Sequence, residues 1–250
     1  LGDVYKRQVV SRSGAKIEKF RLELPESVVE SKRIVATYSM KGDKPDMQSL
    51  RFEGSLNAPR ITPSDVACFV PKLRNLDMPL ALSIDFNGTG SRLNVNDLSI
   101  STADHGFVLK ANAHVLHNRH TIWRAEVSKL FASGDAISKV YKLATSNELP
   151  AIVHNLGDVS LTAKADGTDA DLSLNAVVGC APGSVKFSAS KQQKALHAHV
   201  ETRNFALDKL LGTDKTGVVS LSVDAKGSSK DNVSASGSIY DICYNGYTYR

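Results

Sequence analysis

Three stretches of this chain follow one pattern, and that pattern restricts what the chain can become. Leu80-Ala-Leu-Ser-Ile-Asp-Phe-Asn-Gly-Thr89 recurs in outline as Val159-Ser-Leu-Thr-Ala-Lys-Ala-Asp-Gly-Thr168 and as Val219-Ser-Leu-Ser-Val-Asp-Ala-Lys-Gly-Ser228. Leu80, Leu82, Ile84 and Phe86 fall on one side of a period-2 element, while Ala81, Ser83 and Asp85 fall on the other. Each stretch therefore reads as a strand with one apolar face. Asn87-Gly88 and Asp166-Gly167 read as hairpin turns closing the first two. A strand-turn unit repeated with inserts of unequal length describes a long array of β-units and implies no single catalytic pocket.

Between the repeats the same alternation continues. Leu93 and Val95 share a face, whereas Leu98 and Ile100 have the opposite parity, so a bulge of one residue at Asn96-Asp97 is expected to bring all four to one side. Phe107, Leu109, Ala111, Ala113 and Val115 alternate against Val108, Lys110, Asn112 and His114. Helical spacing interrupts this pattern three times. Thr62 is placed as an N-cap with Pro63 at the first helical position and Asp65 at capping-box spacing, which predicts a short helix near 63–70 that Pro71 stops. Ile137, Val140, Tyr141 and Ala144, then Leu149, Ile152, Val153 and Leu156, are spaced for two amphipathic helices, with Gly157 as a C-cap. Leu207, Leu210 and Leu211 offer one or two turns more.

The expected organisation is a β-repeat unit over 9–122, a helical insert over 123–157, and further β-repeat units over 158–200 and 201–250. Residues 1–8, LGDVYKRQ, resemble a sequencing-adapter remnant and are set aside from fold reasoning. Tyr244-Asn-Gly-Tyr-Thr-Tyr-Arg250 stops in mid-strand after a turn, so the sequence reads as an internal fragment.

The expected fold class is mainly β: repeated antiparallel strand-hairpin units with short helical inserts. A sheet greasy on one face can close on itself, pair with a second sheet, or curl into an open trough with an apolar inner wall. A hydrophobic content of 42% is enough for a core and excludes a disordered chain. The net charge of +5 comes from Lys and Arg scattered among Asp and Glu, which fits a solvated outer face. No basic patch is interleaved with exposed aromatics, so no nucleic-acid partner is expected.

Chemistry-bearing motifs are sparse. The three cysteines, Cys68, Cys180 and Cys243, are isolated and make neither a disulfide framework nor a CxxC site. His114, His117 and His120 lie three apart, and His197 and His199 share a strand face, a real metal-ligand spacing that lacks further ligands nearby. Asp166 to Asp171 is faintly like a calcium loop but reads first as a turn. Gly88-Thr-Gly90 and Gly179-Cys-Ala-Pro-Gly183 match no nucleotide or nucleophile motif. No catalytic residue, metal or cofactor is assigned.

The repeated φ-x-φ-x-φ-x-x-Gly-[Thr/Ser] strands, the strand-to-helix passages Pro59-Arg-Ile-Thr-Pro-Ser-Asp65 and Asn204-Phe-Ala-Leu-Asp-Lys-Leu-Leu211, and the closing Tyr244-Asn-Gly-Tyr-Thr-Tyr249 resemble the TamB/AsmA-like translocation and assembly module family over most of Val9 to Arg250. The resemblance implies a long protein of the Gram-negative cell envelope, anchored in the inner membrane by a helix outside this fragment and crossing the periplasm. It implies an elongated, curled (taco-like) sheet whose apolar groove carries phospholipids toward the outer membrane. It also implies, for some members, a role in outer-membrane biogenesis through a partner engaged by a C-terminal domain absent here. On this reading phospholipid acyl chains are the partners, and Leu80, Leu82, Ile84, Phe86, Val159, Leu161, Val219, Leu221 and Val223 line the groove. An ordinary closed core would use the same residues. The alternative function is a repetitive β-rich scaffold or surface protein, non-enzymatic, that binds other proteins through its edges.

Overall fold

A computed structural model describes residues 3–67, 71, 77–145, 147–229 and 232–250. The period-2 segments fold as strands, and the protein is mainly β: a long antiparallel sheet of fifteen strands that is not closed, with few short helices. The chain divides into two units, one up to Trp123 and one from Arg124 onward.

In the first unit the strands are β1 (Asp3–Ser11), β2 (Gly14–Glu23), β3 (Val28–Thr37), β6 (Arg51–Ile61), β7 (Leu80–Thr89), β8 (Arg92–Thr102) and β9 (Phe107–His117), hydrogen-bonded in that order. A two-stranded hairpin, β4 (Met40–Lys41) with β5 (Lys44–Pro45), stands apart from them, and helix α1 (Pro63–Val66) lies between β6 and β7 in sequence. Cys68, Phe69 and Val70, the end of the helix expected near 63–70, lie outside the described residues. Residues 3–8, set aside on the sequence, form most of β1 and pair antiparallel with β2, with a register shift between Tyr5 and Arg7.

Strand β10 (Thr121–Ala132) straddles the boundary. The second unit then runs through α2 (Gly134–Thr145), α3 (Ala151–His154), β11 (Val159–Thr168), β12 (Leu172–Cys180), β13 (Gly183–Gln192), β14 (Ala195–Ala206), α4 (Leu207–Leu211), β15 (Thr216–Ser229), β16 (Asn232–Tyr244) and β17 (Tyr247–Tyr249). The helical insert thus begins at Gly134 and not at 123, because Trp123, Ala125 and Val127 alternate with Arg124 and Ser128 at strand spacing and extend β10. Gly157 does end the α3 region in the left-handed conformation, at φ 62°, and donates its N–H to the His154 carbonyl at 3.0 Å.

The expected turns fall elsewhere. Asn87 and Gly88 are inside the ladder, opposite Asn94 and Leu93, and the turn comes at Gly90-Ser91. Asp166 and Gly167 likewise pair with Ser173 and Leu172, and the reversal is closed one residue later by the Thr168 N–H on the Asp171 carbonyl at 2.8 Å. Gly88 is glycine for a different reason. A Cβ there would lie 2.2 Å from the Arg92 carbonyl oxygen and 2.5 Å from the tip of the Phe52 ring. Close approach of backbone and ring, rather than turn geometry, fixes the residue.

The bulge is where the alternation places it. Asp85 opposes Asp97 and Phe86 opposes Val95, which leaves Asn96 as the extra residue. The capping box does not form. Thr62 donates its hydroxyl to the Glu26 carbonyl at 3.1 Å, and Asp65 accepts the Glu26 N–H at 3.0 Å, so both side chains tie the helix start to the segment before β3. The Thr62 N–H goes instead to the hydroxyl of Ser27, which is 1% exposed. The second unit repeats this brace: Asn204, at φ 50°, donates its N–H to the Ser220 hydroxyl at 3.0 Å just before α4.

Candidate functional site

Register assigns every strand side chain to a face, since residues directly opposed across an antiparallel pair project to the same side. In the first unit Leu82, Ile84 and Phe86 oppose Ala58, Leu56 and Gly54 of β6, and Ile100, Leu98 and Val95 of β8. The row continues outward from Ile100 to Leu109 of β9, and from Gly54 through Ile34 to Ile17. Leu80 lies at its end, between Ile61 and Thr102. Phe52 and Phe86 meet with ring centroids 6.4 Å apart and planes tilted by 46°. The face is apolar from β2 to β9 without a break.

The second unit has its own such face. Leu161 opposes Val178, which opposes Val185; Val223 sits between Val200 and Gly237; Val219 sits between Phe205 and Ile242. Val159 has the parity of Leu161, and Leu221 opposes Thr202 and Ile239. Next to these lies a row that is alanine except at Leu174: Ala165, Leu174, Ala189, Ala198, Ala225 and Ala235.

All nine residues assigned to the groove therefore lie on the apolar face of their own unit, four in the first and five in the second. Of these only Val219 is buried, and the other eight are half-buried. Among the described residues the buried apolar side chains are Ala58, Ala67, Met78, Ala136, Phe205 and Val219, and most lie close to a helix or a strand end. Alternation within one strand does not reveal cross-strand neighbours: Leu98 and Ile100 read as one side of their own strand without being tied to the row of Leu82 and Ile84, and Leu56, Val178, Phe187 and Val200 are members of the faces that the sequence reading does not name. Ser220, expected on the polar side, is 4% exposed and is the brace for Asn204.

The histidines do not converge on one point. His114 meets Asn94 at 3.1 Å and His117 meets Thr121 at 2.8 Å. His197 and His199 lie on the polar face of β14 and share one oxygen of Asp224, at 3.2 and 3.0 Å. The hydrogen bond from His199, followed by that from His197, holds the Asp224 carboxyl below its ordinary value, against an opposing effect of desolvation. Among the described residues no group of three or more metal-ligating side chains is arranged to hold an ion. In the candidate calcium loop, Asp171 accepts the Gln193 N–H at 2.9 Å, and the Thr168 hydroxyl accepts the N–H groups of Ala170 and Asp171, which are turn contacts. Cys180 and Cys243 are free thiols, and Cys180 donates to the Gly183 carbonyl at the β12–β13 reversal; Cys68 lies outside the described residues.

No protein-family model matches this chain, no curated protein matches it, and no solved structure does. Among the described residues no helix is long and apolar enough to cross a membrane.

Proposed function

We propose that this chain is a segment of a periplasm-spanning envelope protein of the TamB/AsmA-like kind, whose apolar β-face carries phospholipid acyl chains between inner and outer membrane or supports outer-membrane biogenesis. One observation carries the reading: in each unit the strands present a largely apolar face, interrupted in the second by Thr202, on which most Leu, Ile, Val and Phe side chains stay half-buried. A closed core would bring most of these residues to near-zero exposure. An acyl chain laid on such a face gains about 0.8 kcal/mol per buried CH₂, with no charged group needed to hold it. The nine side chains of the proposed groove are hydrocarbon and carry no nucleophile or proton-transfer group.

A second reading, a β-rich scaffold that binds proteins through its edges, is favoured by the last strands. There Val233, Ile239, Tyr240 and Tyr247 are 59%, 61%, 52% and 70% exposed. The two readings separate by photo-crosslinking from Ile84 and Leu221, with the exposed Asp85 and Lys226 of the polar faces as controls, in the chain expressed in the periplasm of a Gram-negative host. Lipid adducts at the two apolar positions and not at the controls are expected. Protein adducts from Ile239 and Tyr240, with no lipid at Ile84 or Leu221, would establish the scaffold instead.

A further inference from the structure

The polar face of the second unit holds a feature the lipid reading does not use. A cavity of about 550 Å³ opens over β10 to β14. Thr162, Lys164, Asn175, Lys186, Ser188, His199 and Glu201 line it, all of the parity opposite to the apolar face, while Ala163, Ala176 and Phe187 lie between them along their strands. The volume is in the range that holds a small organic molecule.

We propose that this cavity binds a small phosphate monoester, on the following grounds. Its two acidic side chains are already neutralised: Glu126 pairs with Lys164 at 3.1 Å and Glu201 with Arg203 at 3.0 Å. Lys186, on β13, has no acidic partner among the described residues, although Glu201 is its direct cross-strand neighbour. The uncompensated charge inside the cavity is therefore positive. Around it stand uncharged hydrogen-bonding groups from three strands, the Thr162 hydroxyl, the Asn175 amide and the Ser188 hydroxyl, none of which has a side-chain hydrogen bond among the described residues.

Register sets how these groups converge. Thr162, Val177, Lys186 and Glu201 form one cross-strand row; Lys164, Asn175, Ser188 and His199 form the next. Lys186 thus has Asn175 on its diagonal on one side and His199 on the other, at spacings that side chains of this length bridge. Donors approaching from several directions match a tetrahedral oxyanion, with lysine acting as a point charge. A carboxylate is better matched by the planar fork of an arginine, and no arginine lines the cavity. The Lys186 ammonium would meet one oxygen of the phosphate monoester, and the Thr162 and Ser188 hydroxyls and the Asn175 amide would hydrogen-bond the others. The same group occurs on soluble sugar or glycerol phosphates and as the headgroup of phosphatidic acid.

The test is an amide chemical-shift titration of the whole chain with sn-glycerol 3-phosphate, and separately a co-sedimentation with vesicles of phosphatidylcholine with and without phosphatidic acid. Saturable shifts confined to residues around Asn175, Lys186 and Ser188 are expected. Lys186→Met should weaken binding about tenfold, since a charge-assisted contact is lost, and Lys186→Arg should restore most of it. Lys191→Met, on the same strand but outside the cavity, should change nothing. Binding of the soluble ester alone identifies a free metabolite; selective retention on phosphatidic acid identifies the lipid headgroup. Equal affinity in Lys186→Met and the native chain, or shifts spread evenly over the surface lysines, would overturn the proposal.

Discussion

The two units share a plan and differ in what fills it. In the first, the apolar face is built from Leu, Ile and Phe, and the rings of Phe86 and Phe52 reach over Gly54 and Gly88 so closely that a Cβ would lie 2.9 and 2.5 Å from them. In the second, one row is nearly all alanine, and the nearest neighbours of a Cβ on Gly227 or Gly237 are backbone and valine: on Gly227 it would lie 2.7 Å from the Asn232 carbonyl oxygen and 3.0 Å from Val233. Register alone aligns the apolar side chains of both faces. Side-chain size then sets the relief, tall and interlocked around Phe52 and Phe86 in the first unit, low along the alanine row of the second. On the lipid reading, an acyl chain can lie closer to the backbone in the alanine row than anywhere on the first unit's face.

That comparison is sharpened first by filling the glycines. Gly88→Ala forces a Cβ onto a carbonyl oxygen that belongs to the ladder and cannot move, so a loss of about 3 kcal/mol is expected in urea unfolding; Gly227→Ala, with the looser fit, should cost about half of that. Equal losses would show that the ring over Gly88 gives way and that the interlocking of the first unit is weak. Next come the braces. Ser27→Ala strands the Thr62 N–H and Ser220→Ala the Asn204 N–H, both at nearly inaccessible sites. Each should cost about 1–3 kcal/mol, with hydrogen exchange rising at α1 in one variant and at α4 in the other. A brace that matters in one unit only would break the shared plan.

A smaller effect on stability, but a specific one on binding, is expected from Ala198→Leu. It raises the low row on a half-buried surface, so stability should change by about 0.5 kcal/mol or less. Lipid crosslinking from Leu221 should fall several-fold while crosslinking from Ile84 is unchanged. The smallest effect is electrostatic. Asp224 is held below its ordinary value of 3.8, chiefly by the His199 hydrogen bond. A carboxyl with a depressed folded value adds stability that is present above the unfolded value and is lost as pH falls through the folded one. Native chain and Asp224→Asn should therefore differ slightly at neutral pH and converge in acid, and the site is too exposed for the difference to be large.

Much of this was legible along the chain because period 2 is a local property. Leu80 to Phe86, Leu161 and Leu221 alternate, and the parity change between Val95 and Leu98 is enough to locate the bulge at Asn96. Leu207, Leu210 and Leu211 likewise announce α4. What failed depends on neighbours remote in sequence. Gly88 and Gly167 looked like turn residues, yet they sit inside the ladder, and at Gly88 the reason is a ring from β6 that no local pattern mentions. Asp65 had capping-box spacing, but the Glu26 N–H, 39 residues earlier, takes its carboxylate. The cavity around Lys186 is assembled from five strands and exists only once their register is fixed. Trp123 to Ala132 was absorbed into a helical insert because the helical spacing after Gly134 is strong, although its own alternation is that of a strand.

The central claim is that the apolar face is an open surface and not the inside of a closed core. Thiol labelling tests it most directly: Ile84→Cys and Leu221→Cys, each in a chain with Cys68, Cys180 and Cys243 replaced by serine, reacted with a maleimide in buffer with and without a lysophospholipid. Labelling at a rate near that of an exposed control, Lys226→Cys, with protection by the lipid at the two apolar sites and not at the control, is the predicted result. Thiols that react only after denaturant is added would place both residues in a sealed core and contradict the account.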